Sequence, residues 1–257
     1  MGFDRILSEF ASRSGSSPRL VRLPGDRPIV FVGDTHGDRE ATERIFDRFA
    51  VPEHTIVLLG DTVDRGPDSL GNLERILSAA VAHPTSVHLL MGNHEAWTVA
   101  AFSPADFWEG LDPDRIARLG SAFTRLPYAA WHPAGVIATH GALPDVRSLD
   151  EFESIALGSK PWRAITWGDW EASRGGGLPA FGGRPAFDRD SFARRMAQLG
   201  ARVLVRSHQP FAPTYLFDDR CLTLFTSSAY GDGRRRVAVL HPERDVRTAR
   251  DLDLIEI

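Results

Sequence analysis

The sequence predicts an α/β fold built around a parallel sheet. Three observations carry that reading. Apolar runs at 28–32, 56–59 and 87–91 each end in a glycine followed by a polar residue: Gly33-Asp34, Gly60-Asp61 and Gly92-Asn93. Stretches of helical spacing follow the first two runs, at 41–49 and 70–81. The second half then turns to short β-like runs, giving a chain that opens βαβαβα and ends strand-rich.

Taken in order, Phe3, Ile6, Leu7 and Phe10 have helical spacing, and Arg13-Ser14-Gly15-Ser16-Ser17-Pro18 reads as a loop. Residues 1–27 are therefore expected to form an N-terminal helical appendage and loop, and residues 28–257 a single domain. Segment 103–126 is expected to be helical, with Pro104 and Pro113 near helix starts. Strands are expected at 136–139, 202–205, 215–217, 221–226 and 236–240, and a helix at 189–199. Glycines at 175–177, 182 and 183 read as loops at a site edge, and no linker composition divides the chain. In parallel sheets ligands bind beyond the carboxyl ends of the strands. Asp34, Asp61 and Asn93 are thus expected to meet at one sheet edge.

Composition narrows the function. The chain has 257 residues, 42% hydrophobic and 25% charged, enough for a core without staples. Its single cysteine, Cys221, excludes a disulfide framework or a cysteine-rich zinc module. A net charge of −4 argues against a nucleic-acid binder, which normally carries a basic face. Charges interrupt the first residues before an apolar core of signal-peptide length, and no run is long enough to span a bilayer. The expected setting is cytoplasmic, without membrane partners.

The chemistry sits in the turns after the apolar runs. They read Gly33-Asp34-Thr35-His36-Gly37, Gly60-Asp61-Thr62-Val63-Asp64-Arg65-Gly66 and Gly92-Asn93-His94-Glu95. Two later runs close on histidine, in Thr139-His140-Gly141 and Arg206-Ser207-His208-Gln209. A single Gly-Asp at a strand end is usually only a turn. Five such turns in order, offering carboxylate, amide and imidazole but no thiolate, suit Mn²⁺, Fe or Zn²⁺. Ligand groups that share one aspartate make a dinuclear centre, which activates water and neutralises phosphate.

These three blocks, matched without a mismatch, resemble the PPP superfamily of metallophosphoesterases, whose best-known members are protein serine/threonine phosphatases. The likeness extends through Phe123-Thr124-Arg125-Leu126-Pro127, Trp167-Gly168-Asp169 and Arg174-Gly175 to Tyr230-Gly231, covering about residues 29–231. It implies an αββα sandwich of the calcineurin-like type, with a dinuclear metal site at the C-terminal ends of the strands. By the resemblance, Asp34 and His36 bind the first metal, Asp61 bridges, and Asn93, His140 and His208 complete the second; Mn²⁺ is the expected pair. His94 becomes the general acid, oriented by Asp64, and Arg65 and Arg174 grip phosphoryl oxygens. Arg206 either touches phosphate or braces its loop, and Tyr230 matches a tyrosine at the substrate rim. A metal-bridging hydroxide would attack phosphorus in line. Glu95 takes a supporting role, and Trp162, Trp167 and Trp170 are expected to pack.

The chain also departs from the eukaryotic members. Gly231-Asp232-Gly233 follows Tyr230 where those carry a cysteine and a longer loop, and Trp167-Gly168-Asp169 replaces Trp-Ser-Asp. The expected protein is a compact prokaryotic-type phosphatase of phosphoserine and phosphothreonine, with phosphotyrosine a further substrate and no dedicated regulatory subunit. Two alternatives stand beside it: a dinucleoside polyphosphate hydrolase acting on diadenosine tetraphosphate, and an inactive phospho-binding module.

Overall fold

The computed structural model describes residues 2–13, 18–171, 183–230 and 235–257. The first half holds α1 (Phe3–Arg13), β1 (Leu20–Arg22), β2 (Ile29–Val32), α2 (Arg39–Arg48), β3 (Thr55–Leu58), α3 (Ser69–Ala82) and β4 (Val87–Leu89). Then come α4 (Asp106–Glu109), α5 (Pro113–Phe123), β5 (Ala129–His132), β6 (Val136–Thr139), α6 (Lys160–Trp167) and β7 (Asp169–Trp170). The chain closes with β8 (Ala186–Phe187), α7 (Arg189–Gln198), β9 (Val203–Arg206), β10 (Tyr215–Leu216), β11 (Cys221–Thr223), β12 (Arg236–Leu240) and β13 (Asp253–Glu256).

Among the described residues the strands make two main sheets, ordered β13-β12-β2-β3-β4 and β1-β5-β6-β9-β11-β10, with β7 and β8 paired apart. β2, β3 and β4 run parallel, so their C-terminal ends share an edge. In the other sheet β6, β9 and β11 are likewise parallel.

Strand parity explains the layering. Side chains alternate faces along a strand. Ile29, Phe31, Val57, Ala138, Val203, Val205, Ala238 and Leu240 form one buried cluster between the sheets. Their neighbours Val30, Val32, Ile56, Leu58, Ile137, Leu204, Val237 and Val239 belong to a second cluster shared with the helices. Both faces being covered, these strands read as continuous apolar runs rather than alternating ones. The result is the expected αββα sandwich.

Three elements differ from expectation. Segment 103–126 is broken into α4 and α5, because Asp112 accepts a hydrogen bond from the Arg115 amide (2.9 Å) and Pro113 opens a new helix. No helix follows Asn93 directly; the chain turns there, with the Glu95 carboxylate folded back on the Gly92 amide at 3.0 Å. Residues 1–27, expected as an appendage, contribute packed structure. Ile6, Leu7 and Phe10 are buried in the core against α3 and α5, and β1 pairs in parallel with β5.

Candidate metal centre

The strand-end turns from both sheets converge on one buried cluster. Asp34, His36, Asp61, Asn93, His140 and His208 are all at most 4% exposed. His36 Nε2 lies 3.7 Å from Asp34 Oδ2 and 3.8 Å from Asp61 Oδ2. His140 Nε2 lies 3.4 Å from Asp61 Oδ2, 3.2 Å from Asn93 Oδ1 and 3.1 Å from His208 Nδ1. Donors sharing one cation at about 2.1 Å are separated by roughly 3 to 3.5 Å, so the second set is close to a coordination shell and the first slightly open. Two three-residue groups, His36-Asp61-His94 and Asp61-His140-His208, have ligand atoms close enough for a metal, and Asp61 belongs to both.

A test of fit comes from unsatisfied atoms. Asp34 Oδ2 is buried without a hydrogen-bond partner, a costly state that a cation relieves. The outward nitrogens are already oriented: His36 Nδ1 bonds the Val63 carbonyl (3.0 Å) and His140 Nδ1 the Leu59 carbonyl (2.9 Å). Such bonds leave each Nε2 to face the cluster as a ligand. The residues therefore fit divalent metal.

Electrostatics agree. Burial and the neighbouring Asp61 charge push the Asp34 carboxyl up to about 7. Burial opposes protonation of His140, but Asp61 and Asp34 outweigh it and raise the imidazole to about 9. Burial and the adjacent His94 pull His36 down to about 3. Negative charge is thus crowded where a cation would sit.

The backbone is bent to bring these groups together. His36, Asp61, Asp64, Arg65 and His208 all have positive φ, from 42° to 72°, a region non-glycine residues adopt at a cost and often at functional sites. A Cβ on Gly60 would lie 2.4 Å from the Gly92 amide nitrogen, so only glycine lets the second and third turns approach.

His94 lies beside the cluster. Its Nδ1 is 2.5 Å from Asp64 Oδ2, and its Nε2 faces Asp61 Oδ2 across 3.8 Å. Burial lowers its basicity, but Asp61 and Asp64 more than offset this, so the net shift is upward. Asp64 is itself fixed, since its Oδ1 accepts the Phe107 amide at 2.7 Å and its own amide bonds Ser69 Oγ at 2.9 Å.

Glu95 does more than support. Its buried carboxylate accepts from the amides of Asp61 (2.7 Å), Thr62 (2.8 Å) and Gly92 (3.0 Å) and from the Thr62 hydroxyl (2.8 Å). It locks the second turn to the third. Its place at the end of the third block was the only signal of this in the sequence.

A cavity of about 790 Å³ opens above the cluster. Arg65 and Tyr230 line it, as do His36, Asp61, Asn93, His94 and His208. Burial raises the Tyr230 phenol, Asp61 and Asp34 add to that, and the Arg65 guanidinium beside its hydroxyl acts in the opposite direction. Arg206, one of the expected phosphate contacts, does not line the cavity. It is fully buried, donates to Gln209 Oε1, and braces the turn that carries His208. Arg174 lies outside the described residues. Arg184 lines the cavity instead, 3.9 Å from Asp169 and over the Trp167 ring, and no motif in the sequence announced it. Trp162 packs in the core as expected, whereas Trp167 and Trp170 also line the cavity.

Known proteins agree with this picture. The chain is 27% identical over 226 residues to the serine/threonine-protein phosphatase 6 catalytic subunit of Drosophila melanogaster, covering 81% of this chain and 73% of that one. It is 27% identical over 254 residues to a probable serine/threonine-protein phosphatase of Encephalitozoon cuniculi (strain GB-M1), covering 93% of this chain and 56% of the relative. Among solved structures, a protein serine/threonine phosphatase from Saccharomyces cerevisiae superposes with a TM-score of 0.83 at 24% identity, covering 99% of this chain and 89% of that one. The family model for calcineurin-like phosphoesterases matches residues 27–211, nearly three-quarters of the sequence and all six of the converging side chains; the protein belongs to that family.

Proposed function

We propose that this protein is a metal-dependent phosphomonoesterase that hydrolyses phosphoserine and phosphothreonine in proteins. The observation that carries the proposal is the convergence of Asp34, His36, Asp61, Asn93, His140 and His208 beside an Asp64-oriented His94. The likeness to the Drosophila phosphatase supports the substrate class. We assign Asp34, His36 and Asp61 to one divalent cation and Asp61, Asn93, His140 and His208 to another, with Mn²⁺ as the pair. Bound there, the cations would supply an acidified water and neutralise phosphate charge.

The chain's own groups do the rest. Asp64 accepts a hydrogen bond from His94 Nδ1–H, which fixes the tautomer and sustains the imidazolium. His94 Nε2 then gives its proton to the departing serine or threonine oxygen. Arg65 and the Tyr230 hydroxyl hold phosphoryl oxygens, Tyr230 as a neutral donor that binds ground and transition state alike and Arg65 through charge-assisted bonds that strengthen as charge develops. Trp167 and Phe102, ring centres 5.3 Å apart, wall the cavity and keep water from its side.

The cavity volume also admits a nucleoside, which keeps diadenosine tetraphosphate as a second substrate reading. A phosphate-release assay with Mn²⁺ tests both, comparing a phosphothreonine peptide with the dinucleotide and using His94→Ala as control. Faster peptide turnover, lost in the variant, supports the proposal. Preference for the dinucleotide replaces the substrate class, and no turnover of either favours a phospho-binding module.

A further inference from the structure

Asp38 is the most heavily bonded carboxylate near the site that the proposed chemistry leaves unused. It lies just beyond the Asp34–His36 turn and is 2% exposed. Its Oδ1 caps α2 by accepting the Ala41 amide at 3.1 Å and also meets Arg235 Nη2 at 3.1 Å. Its Oδ2 accepts the Ser228 amide (2.9 Å), the Ser228 hydroxyl (3.0 Å) and Arg235 Nε (2.8 Å). A cap needs only one of these five bonds.

The other four reach across the fold. Ser228 and Arg235 lie on either side of Tyr230 in the sequence, and the one carboxylate binds both. Before Ser228, the chain is already joined to the first turn, since the Thr226 amide bonds the Asp34 carbonyl at 3.0 Å. Beyond it, Tyr230 sets its ring edge-on to His36 at 5.4 Å and lines the cavity, as His94 does. Arg235 is held on its far side by Glu40 Oε2 at 3.0 Å. A paired, buried, fully hydrogen-bonded carboxylate of this kind fixes geometry rather than adding much net stability.

We infer that Asp38 and Arg235 are positioning residues that hold Tyr230 over the phosphate-binding end of the cavity. The inference rests on the phosphomonoesterase reading for its catalytic consequence, but the holding itself is a separate physical statement. Tyr230 reaches the cavity only if the 227–230 backbone is pinned. Released from Asp38, that backbone swings, and the phenol no longer meets a phosphoryl oxygen.

The test uses Asp38→Asn, which keeps a capping side chain but loses the charge and the grip on Arg235. Arg235→Gln breaks the same pair from the other side. With p-nitrophenyl phosphate and Mn²⁺, each variant should raise KM about five- to tenfold with kcat within about twofold. On a Tyr230→Ala background the same changes should add less than about twofold, because the side chain they position is gone. Effects on KM that multiply on that background overturn the inference, as does a fall in kcat at unchanged KM. Amide hydrogen exchange over 225–230 provides a readout independent of turnover. It should quicken in both variants while exchange over 87–91 stays as in wild type. Unchanged exchange at 225–230 overturns the inference even if activity falls. If wild type hydrolyses no phosphate ester, the function reading fails, and the exchange result alone decides whether Asp38 holds the segment.

Discussion

The two ring nitrogens of His94 face opposite demands: Nδ1 is held on Asp64 at 2.5 Å, and Nε2 is left toward the cluster. Removing the ring should therefore remove proton donation and little else. His94→Ala is expected to lower kcat about 10²- to 10⁴-fold with both metals retained; metal analysis showing loss of an ion would contradict the assignment. The ligands set a pH dependence too. Without metal, Asp34 holds its proton up to about 7 and His140 up to about 9, yet both must be deprotonated to bind a cation. Loading thus expels protons, and apparent affinity should rise as pH climbs through that range. Titration calorimetry with Mn²⁺ in two buffers of different ionisation enthalpy measures the release; none at neutral pH would refute it. The ligand residues were legible because each follows an apolar run in a short motif. Asp38 and the full reach of Glu95 were not, because their partners lie far away in sequence, and Arg184 was not, because it stands outside every motif. Asp38 to Arg235 spans 197 positions, and no local pattern encodes such a bond. Arg206 was only half legible, since its sequence position beside His208 does not reveal that its side chain turns inward.

At the level of elements, the helix α1 shows how a short amphipathic segment becomes part of a core. Ile6, Leu7 and Phe10 are buried against α3 and α5, and Arg118 reaches Asp4 at 3.0 Å. Leu7→Ala should destabilise the protein by about 2–5 kcal/mol, seen as a lower urea midpoint at unchanged slope. A change under about 0.5 kcal/mol would mean that the segment is dispensable packing. The strands β2, β3, β4, β6 and β12 were legible as apolar runs because they are covered on both faces. β5, Ala-Ala-Trp-His, carries no β-branched residue and gains its pairing from β1 and β6. β13, Asp-Leu-Ile-Glu, has only two apolar residues between charged ones, too short a run for a search for apolar runs to register.

The whole molecule is a sandwich whose two sheets each deliver candidate ligands to one point. Asp34, Asp61 and Asn93 come from one sheet, and His140 and His208 from the other. Metal binding should therefore stabilise the entire fold and not one loop. At a hundredfold excess over Kd, the gain is about 2.7 kcal/mol per site, or about 5–10 °C in Tm for a domain of this size. Scanning calorimetry with and without chelator checks this, and equal melting temperatures would contradict it. A further consequence follows for the protein in a living cell. Asp61 and His208 are 147 positions apart, so a cation held by both closes more than half of the chain into a ring. Where divalent metal runs short, the unclosed chain opens more often, and opening is what proteases wait for. The amount of this enzyme should then follow metal supply, so that abundance as well as activity falls under starvation.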